Sequence, residues 1–226
     1  MNAELNTRKT RLAVLISGRG SNLQALQTAI ENGSLTNAEI VLVLSNRQNA
    51  LGLSWAAAKN LPTCFIDAKS IQTISDQAIT KEQRRELVDT QVVQALKNAN
   101  VEAVVLAGYD RIISPVLLNA YPNRIVNIHP SLLPEFGGAG MVGLNVHQAV
   151  LETGKTESGC TVHLVTEGVD EGPVLGQARV PVLADDTSES LAARVLAAEH
   201  TLYSQILSQW IAAGFAQKNN TQKALA

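Results

Sequence analysis

The chain has 226 residues, of which 46% are hydrophobic and 17% are charged, and its formal net charge is −2. This length and composition are typical of one globular domain with a substantial core, and the near-neutral charge favours neither a nucleic-acid nor a membrane partner. No apolar run reaches the length that spans a membrane, and the polar N-terminus has no signal-peptide core, so we expect a cytoplasmic protein.

Apolar runs alternate with amphipathic helical patterns through the first part of the chain. The predicted strands lie at residues 12–16, 40–44, 63–66, 101–107 and 124–128. The predicted helices lie between them, at residues 23–31, 50–59 and 81–98. Such alternation is typical of parallel strands joined by crossover helices. We therefore predict an α/β fold with a doubly wound, mostly parallel sheet.

The pattern changes toward the C-terminus, where two predicted strands, residues 159–165 and 174–182, follow each other closely. Close succession favours antiparallel pairing, so we predict an antiparallel addition to the sheet. Two more helices are predicted around these strands, at residues 146–152 and 188–213. The domain boundaries that we predict are a disordered tail at residues 1–10, a single domain at residues 11–215 and a frayed tail at residues 216–226.

The two cysteines, Cys64 and Cys160, both lie in apolar, strand-like contexts. Neither has a partner at metal-ligand spacing, so we expect buried, reduced thiols. The sequence therefore predicts no metal site.

The most informative motif closes the fifth predicted strand, at Asn127, His129 and Pro130. Side chains alternate across a strand, so Asn127 and His129 should point to the same face at its carboxyl end, where open α/β sheets bind ligands. Pro130 ends the ladder because it has no N–H to donate. An amide can donate to a developing oxyanion and a histidine can move a proton, so the pair is a catalytic candidate. A single histidine near a strand end is more often structural, so a catalytic role and a structural role for His129 are both open.

A glycine-rich loop, Gly18-Arg19-Gly20-Ser21-Asn22, lies between the first predicted strand and the first helix. Glycines allow a ligand to approach the backbone closely, and a helix N-terminus offers unpaired N–H groups and a positive dipole end. This arrangement suits a phosphate, but the loop is neither the dinucleotide fingerprint nor a lysine-bearing P-loop. A tight turn with an N-cap serine accounts for the same residues equally well.

Two charged residues follow predicted strands and have alternative interpretations. Asp170 lies in a turn rich in glycine and proline, where it could form an Asx-turn or could orient His129 and raise its pKa. Arg111 could be a surface charge, or its planar guanidinium could bind a carboxylate or ring amide in a pocket. A flexible glycine-rich stretch at residues 137–140 suits a lid.

Three other histidines are weaker candidates. His163 alternates with Thr161 on a predicted strand and could face the same crevice as His129, and His147 lies on a predicted helix. Glu199 and His200 on the last helix could form a surface pair.

Together these residues resemble the phosphoribosylglycinamide formyltransferase family. The resemblance covers nearly the whole chain, from residue 12 to about residue 210, and it rests on six motifs in the family order and near-family spacing. These motifs are LISGRGSNLQAL, VVLAGYDRIISP, NIHPSLLP, GCTVHLV, VDEGPV and AAEHTLY. The joint match is highly specific. It implies a Rossmann-like formyltransferase fold and transfer of a formyl group from 10-formyltetrahydrofolate to glycinamide ribonucleotide in purine biosynthesis, with no metal.

The resemblance also implies residue roles. The catalytic group would be Asn127, His129 and Asp170, with Asn127 bonding the tetrahedral oxyanion and His129, protonated with help from Asp170, stabilising it and relaying protons. The residues matching the phosphate and ribonucleotide site are Gly20, Ser21, Asn22, Leu23 and Glu199. The residues matching the folate site are Asp110, Arg111, Ile112, Ile113, Asn127 and, for a basic residue near the start of the long helix, Lys81. The turn at residues 167–170 would close the pterin pocket.

This chain departs from the family pattern at three positions. Many members carry methionine where Asp110 stands, so an extra carboxylate is expected near the pterin pocket. The glycine-rich lid variant often has lysine at the position of Ala139 and an aromatic residue at that of Val142, so folate affinity or lid closure could differ.

Three alternatives compete with the transferase interpretation. A deformylase would use the same asparagine, histidine and aspartate with water as the nucleophile, but that family lacks the GRGSN loop and usually carries an N-terminal regulatory domain. A methionyl-tRNA formyltransferase would need a basic C-terminal domain for tRNA. A non-catalytic folate-binding protein would be expected to lack one of the three catalytic residues. The family contains both monomers and homodimers.

Overall fold

The structure is a computed structural model that describes residues 8–66 and 79–216. Its strands are β1 (Thr10–Ile16), β2 (Ala38–Ser45), β3 (Thr63–Phe65), β4 (Ala103–Leu106), β5 (Ile125–His129), β6 (Glu157–Leu164) and β7 (Val174–Pro181). Its helices are α1 (Ser21–Glu31), α2 (Leu51–Ala58), α3 (Lys81–Asn98), α4 (Pro115–Ala120), α5 (Leu144–Glu152) and α6 (Ser188–Ala212). Residues 1–7 and 217–226, which belong to the two predicted tails, lie outside the described residues.

The strands form one seven-stranded sheet in the order β3-β2-β1-β4-β5-β6-β7. Neighbours from β3 to β5 pair in parallel, whereas β6 is antiparallel to β5 and β7 is antiparallel to β6. The predicted fold class is therefore confirmed, including the antiparallel addition. Every predicted element lies within two residues of its observed bounds.

The central strand β1 is buried on both faces. Leu12, Val14 and Ile16 point into a core shared with α1, α2, α5 and α6. Ala13 and Leu15 point into a second core, which α3 and α4 cover. This alternation follows the two-residue period of a strand, and burial on both faces explains why the run is apolar throughout.

Helix starts follow local capping rules. Thr80 begins α3 and Thr187 begins α6, and each forms a capping box with the residue three positions later. No element was predicted at α4, which is only six residues long, with Ser114 as its N-cap and Pro115 as its first residue. So short a segment has too few turns to display a helical period.

The cysteines differ in burial. Cys160 is fully buried in β6, but Cys64 in β3 is only half-buried, and both thiols are free. Cys64 departs from the expectation because β3 is a short edge strand with one neighbour. Among residues 8–66 and 79–216, no helix is long and apolar enough to cross a membrane.

Candidate active site

A cavity of about 710 Å³ opens at the carboxyl ends of β1, β4 and β5. The strand order reverses direction between β1 and β4, which is where open α/β sheets place their ligand crevices. The lining comes from residues 18–22, 106–113, 127–130, 138–144, 147, 163, 165–170, 192, 196 and 199. This volume is large enough for two small molecules to meet.

Asn127 and His129 both line the cavity, as the strand alternation predicts. His129 is 4% exposed. Its Nε2 lies 2.8 Å from the carbonyl oxygen of Phe136, and its Nδ1 lies 3.4 Å from Oδ2 of Asp170. Because a carbonyl can only accept, Nε2 carries a proton, and Nδ1 is the nitrogen that faces the carboxylate.

Asp170 is held by backbone geometry and by three partners. Its φ is +59°, a left-handed conformation that aspartate tolerates better than most residues. Oδ2 accepts a hydrogen bond of 3.1 Å from the N–H of Gly138, and Oδ1 lies 3.5 Å from Nε2 of His163. Asp170 therefore joins His129, His163 and the glycine-rich segment.

The antiparallel pairing of β5 with β6 brings His163 into the site. His163 lies directly opposite Asn127 in the register, and directly opposed side chains on one face are close neighbours. Nδ2 of Asn127 lies 3.2 Å from Nε2 of His163, while Nδ1 of His163 lies 2.9 Å from the carbonyl oxygen of Leu164. Because a carbonyl can only accept, Nδ1 of His163 carries a proton, and Nε2 can accept from the Asn127 amide.

Burial lowers the pKa of His129, and Asp170 and the Phe136 carbonyl, which raise it, offset this effect only in part. Asp170 does raise the pKa of His129, as expected. The stronger effect of burial nevertheless leaves the pKa of His129 below its ordinary value. Burial raises the pKa of Asp170, but the contact with His163, the charge of His129 and the hydrogen bond from the N–H of Gly138 hold it below its usual value. Asp170 is therefore ionised at neutral pH.

His147, a weaker candidate in the sequence, also lines the cavity from α5. Burial lowers its pKa, and the charge of His129 lowers it further. Its buried Nδ1 has no hydrogen-bond partner among the described residues. His147 thus stays neutral beside His129 and has a free ring nitrogen.

The glycine-rich loop forms another part of the lining, through Gly20, Ser21 and Asn22. Gly20 caps α1 with a φ of +74°. Leu23, the fourth residue matched to the phosphate site, does not line the cavity, because its side chain is fully buried in the core. Arg19, which was not selected as a binding residue, is exposed and does line the cavity.

Gly52 in α2 explains the close approach of that helix to the loop. Its N–H donates to the carbonyl oxygen of Gly18 at 3.1 Å. A Cβ at Gly52 would collide with the side chain of Ile16 and would lie 3.2 Å from the Cα of Gly20. This steric requirement gives Gly52 a role in shaping the loop that the sequence analysis missed.

Glu199 lies in the cavity wall and is 6% exposed, so the alternative of a surface pair with His200 is wrong. Oε2 of Glu199 accepts a hydrogen bond of 2.7 Å from Nδ2 of Asn22. Burial raises the pKa of Glu199 to about 7, against the lowering effect of this bond. Glu199 can therefore be neutral or ionised near physiological pH.

Replacement of Glu199 by glutamine should stabilise the protein at alkaline pH. The folded pKa is about 7 and the ordinary value is 4.5, so between these values the folded state binds more protons than the unfolded state. Stability from this group is present below the ordinary pKa and is lost as pH rises through the folded one. Glutamine keeps an acceptor for Asn22. We therefore expect the substitution to raise the free energy of unfolding by about 1–3 kcal/mol more at about pH 8 than at about pH 5.

Urea unfolding of wild type and Glu199→Gln at both pH values measures this difference. Glu86→Gln, at an exposed position on α3, is the matched control. The raised pKa of Glu199 would be contradicted if the free energies of unfolding of wild type and variant differed by the same amount at both pH values.

The segment after β4 lines the cavity through Asp110, Arg111, Ile112 and Ile113. Asp89 of α3 anchors this segment, because its Oδ2 accepts a hydrogen bond of 2.6 Å from the N–H of Ser114. Burial raises the pKa of Asp89, while the Ser114 hydrogen bonds and the charges of Arg111 and Arg85 lower it.

Lys81, the basic residue selected from the sequence, is the exposed first residue of α3 and does not line the cavity. Arg85, one helical turn further along, is half-buried and interacts with Asp89 electrostatically, as does Arg111. Arg85, and not Lys81, is therefore the basic residue of this part of α3 that interacts with Asp89, the anchor of the segment after β4.

The three departures from the family pattern also lie at the cavity. Asp110 brings a carboxylate to its edge, but both oxygens are bound by neighbouring side chains. Ala139 and Val142 belong to the glycine-rich segment, and Val142 is 59% exposed. Among residues 8–66 and 79–216, no cluster of histidine, cysteine, aspartate and glutamate could hold a metal ion.

Comparison with known proteins agrees with this geometry. The Formyl transferase family matches residues 10–207, and the chain therefore belongs to that family. The phosphoribosylglycinamide formyltransferase of Escherichia coli (strain K12) is 37% identical over 203 residues, covering 90% of this chain and 87% of that protein. A solved structure of glycinamide ribonucleotide transformylase 1 from Symbiobacterium toebii superposes with a TM-score of 0.80 at 39% identity, covering 95% of this chain and 92% of that one.

Some relatives are much longer than this chain. The trifunctional purine biosynthetic protein adenosine-3 of Drosophila pseudoobscura pseudoobscura is 44% identical over 205 residues. That match covers 90% of this chain but only 14% of the longer protein. The similarity therefore concerns one region of the trifunctional protein.

Proposed function

We propose that this protein transfers the formyl group of 10-formyltetrahydrofolate to the amine of glycinamide ribonucleotide, which yields formylglycinamide ribonucleotide and tetrahydrofolate in purine biosynthesis. The observation that carries the proposal is the array of Asn127, His129, His163 and Asp170 in one cavity wall. The same cavity is also lined by the glycine-rich loop and by a separate segment that carries Ile112 and Ile113, which suits a reaction between two bound molecules.

The ribonucleotide binds at the glycine-rich loop. The N-terminus of α1 presents unpaired N–H groups at Gly20, Ser21 and Asn22, which suit a phosphate. Arg19 supplies a mobile positive charge at the same edge. Glu199, oriented by Asn22, accepts hydrogen bonds from the hydroxyl groups of the ribose. Leu23 contributes only by packing the helix in place.

The folate binds on the other side of the array. Ile112 and Ile113 supply apolar contacts for the pterin, and backbone groups of the segment from Asp110 to Ile113 bond its ring amide. Residues 165–170 cover the pterin from the opposite side, and residues 138–143 close over both substrates. Arg85 and Arg111 supply positive charge toward the carboxylates of the folate tail.

The reaction is a direct acyl transfer. The amine nitrogen attacks the formyl carbon, a C–N bond forms, and the carbonyl π electrons move to oxygen. The tetrahedral intermediate then loses a proton from the amine and gains one at N10 of the folate. The oxyanion then reforms the carbonyl as the bond between the formyl carbon and N10 breaks, and the electron pair of that bond stays on N10.

Asn127 and His129 stabilise the developing oxyanion. Because Nε2 of His163 accepts one N–H of the Asn127 amide, that amide is held with its second N–H free for the formyl oxygen. In its protonated form, which ionised Asp170 stabilises, His129 adds a charged donor, and in this structure its Nε2–H donates to the carbonyl oxygen of Phe136. The pair of His129 and Asp170 also carries the proton from the amine toward N10.

A formyl-transfer assay on purified protein tests the proposal. We would follow tetrahydrofolate release from 10-formyltetrahydrofolate, with and without glycinamide ribonucleotide, for wild type, His129→Ala and the control His200→Ala, which changes a histidine outside the cavity lining. We expect release that requires the ribonucleotide and falls by about 10²-fold or more only in His129→Ala. Release without the ribonucleotide would establish a deformylase, and no release under either condition would overturn the proposal.

A further inference from the structure

A cluster of four polar residues ties together the carboxyl ends of three strands. Ser17 follows β1, Asn46 and Arg47 follow β2, and Asp110 lies just beyond β4. We call these four residues the strand-end clamp. The clamp contains one carboxylate, that of Asp110.

The clamp is closed by short hydrogen bonds. Oδ1 of Asp110 accepts from Nδ2 of Asn46 at 2.8 Å, and Oδ2 forms an ion pair with Arg47. The hydroxyl of Ser17 accepts the backbone N–H of Asp110 at 2.9 Å. Its own proton has two acceptors within reach, Oδ1 of Asp110 at 2.8 Å and Oδ1 of Asn46 at 2.6 Å.

These contacts use both oxygens of the Asp110 carboxylate. Burial alone would raise the pKa of Asp110, but the hydrogen bonds from Asn46 and Ser17 and the charge of Arg47 lower it. The extra carboxylate is thus ionised and directed into the clamp. It has no free oxygen for a pterin ring, so its role differs from a direct folate contact.

The position of the clamp gives it a different role. Ser17 is the residue immediately before the glycine-rich loop at residues 18–22, and Asp110 is the residue immediately before Arg111, Ile112 and Ile113. The backbone N–H of Ser17 also donates to the carbonyl oxygen of Gly108 at 2.9 Å. The ribonucleotide loop and the pterin segment are therefore bonded to each other at their starting residues.

A second route leads through the loop between β2 and α2. Asn46 and Arg47, held by Asp110, begin this loop, and Gly52 near its end donates to the carbonyl oxygen of Gly18 at 3.1 Å. A shift of the pterin segment thus reaches the glycine-rich loop both through Ser17 and through Gly52.

We propose that the strand-end clamp couples the two substrate subsites, so that binding of one substrate raises the affinity for the other. This inference rests on the proposed function, because that function assigns the two segments to different substrates. The physical reason is that each segment is ordered by contacts with the other. The first substrate to bind orders both segments. Binding of the second substrate then costs the protein less conformational entropy.

Binding of tetrahydrofolate, which carries no formyl group, measures this coupling without turnover. Calorimetric titration with and without saturating glycinamide ribonucleotide gives the ratio of the two dissociation constants. We expect a ratio of at least about 5 for wild type, within the usual range of coupling between sites. Coupling is reciprocal, so titration of the ribonucleotide with and without tetrahydrofolate should give the same ratio.

Three variants open the clamp in different ways. Asp110→Met removes both carboxylate oxygens, Asp110→Asn keeps an acceptor for Asn46 but removes the charge, and Ser17→Ala removes the hydroxyl. Glu157→Gln is the matched control, because it breaks an exposed ion pair with Arg179 at the far end of the sheet. We expect the ratio to fall to about 1 in Asp110→Met and Ser17→Ala, to an intermediate value in Asp110→Asn, and to stay unchanged in the control.

The two proposals fail in different measurements. Absence of binding by either substrate alone would overturn the proposed function and the coupling with it. Binding of both substrates with a wild-type ratio near 1 would overturn only the coupling. A high ratio that survives in folded Asp110→Met and Ser17→Ala would also overturn it, since another structure would then carry the coupling. Thermal unfolding of each variant establishes that it is folded.

Discussion

Asp170→Asn should lower kcat for formyl transfer by about 10²–10⁴-fold, within the range that a general acid–base residue contributes. The substitution is nearly isosteric, and asparagine tolerates the left-handed backbone conformation of this position at least as well as aspartate. Its side-chain oxygen can still accept the N–H of Gly138. The variant therefore removes the charge beside His129 and leaves the turn intact.

The charge matters because burial already lowers the pKa of His129. Asp170 is the main group that opposes this effect, so its neutralisation should lower the pKa of His129 further. The imidazolium would then be scarcely populated near neutral pH, and both oxyanion stabilisation and proton relay would weaken. KM for either substrate should change little, because the loss concerns the transition state.

Kinetics and an NMR titration of the imidazole signals test this prediction together. The titration should report a lower pKa for His129 in Asp170→Asn than in wild type. Glu135→Gln makes the same chemical change at an exposed carboxylate that pairs with Lys155, and it should behave like wild type. A variant that keeps its activity, or a His129 pKa that does not fall, would refute the pairing.

Asn127→Ala should lower kcat by about 10²–10³-fold, the typical cost of removing one donor to an oxyanion. Alanine removes the amide N–H that His163 holds in place, and β5 has no other amide side chain that lines the cavity. The loss corresponds to about 3–4 kcal/mol of transition-state stabilisation. KM should change less than kcat, because the oxyanion exists only after attack.

His163→Phe provides the companion test of orientation. Phenylalanine fills a similar volume but offers no acceptor at the position of Nε2, so the Asn127 amide can rotate. We expect a smaller fall in kcat than in Asn127→Ala and little further fall in the double variant, since both changes act on one donor. The exposed Asn98→Ala serves as the control. Additive losses in the double variant would mean that the two residues act separately.

Much of the fold can be predicted from local patterns. The apolar run of β1 and the alternation in β6 identify strands, and threonine caps identify where α3 and α6 begin. The same alternation places Asn127 and His129 on one face of β5. These features depend on side-chain period and capping, which are properties of neighbours in the chain. Residue types in six motifs were also enough to identify the family.

Other features depend on which distant segments meet. The proximity of His163 to Asn127 depends on the register of β5 with β6, and a shift of one residue would turn His163 to the other face. Lys81 was selected in place of Arg85 because position along α3 does not reveal which side chain lies near Asp89. For Asp110, the sequence marked an unusual carboxylate, but the strand order decided that Arg47 and Asn46 would bind it.

The electrostatic properties of the site likewise depend partly on residue types and partly on the fold. The sequence alone determined that an amide, a histidine and a carboxylate were available to this protein, and that the first two share a strand face. Only the tertiary structure decided that burial would lower the pKa of His129 and raise that of Glu199 to about 7. Desolvation depends on every atom that excludes water from a group, and those atoms come from segments far apart in the chain.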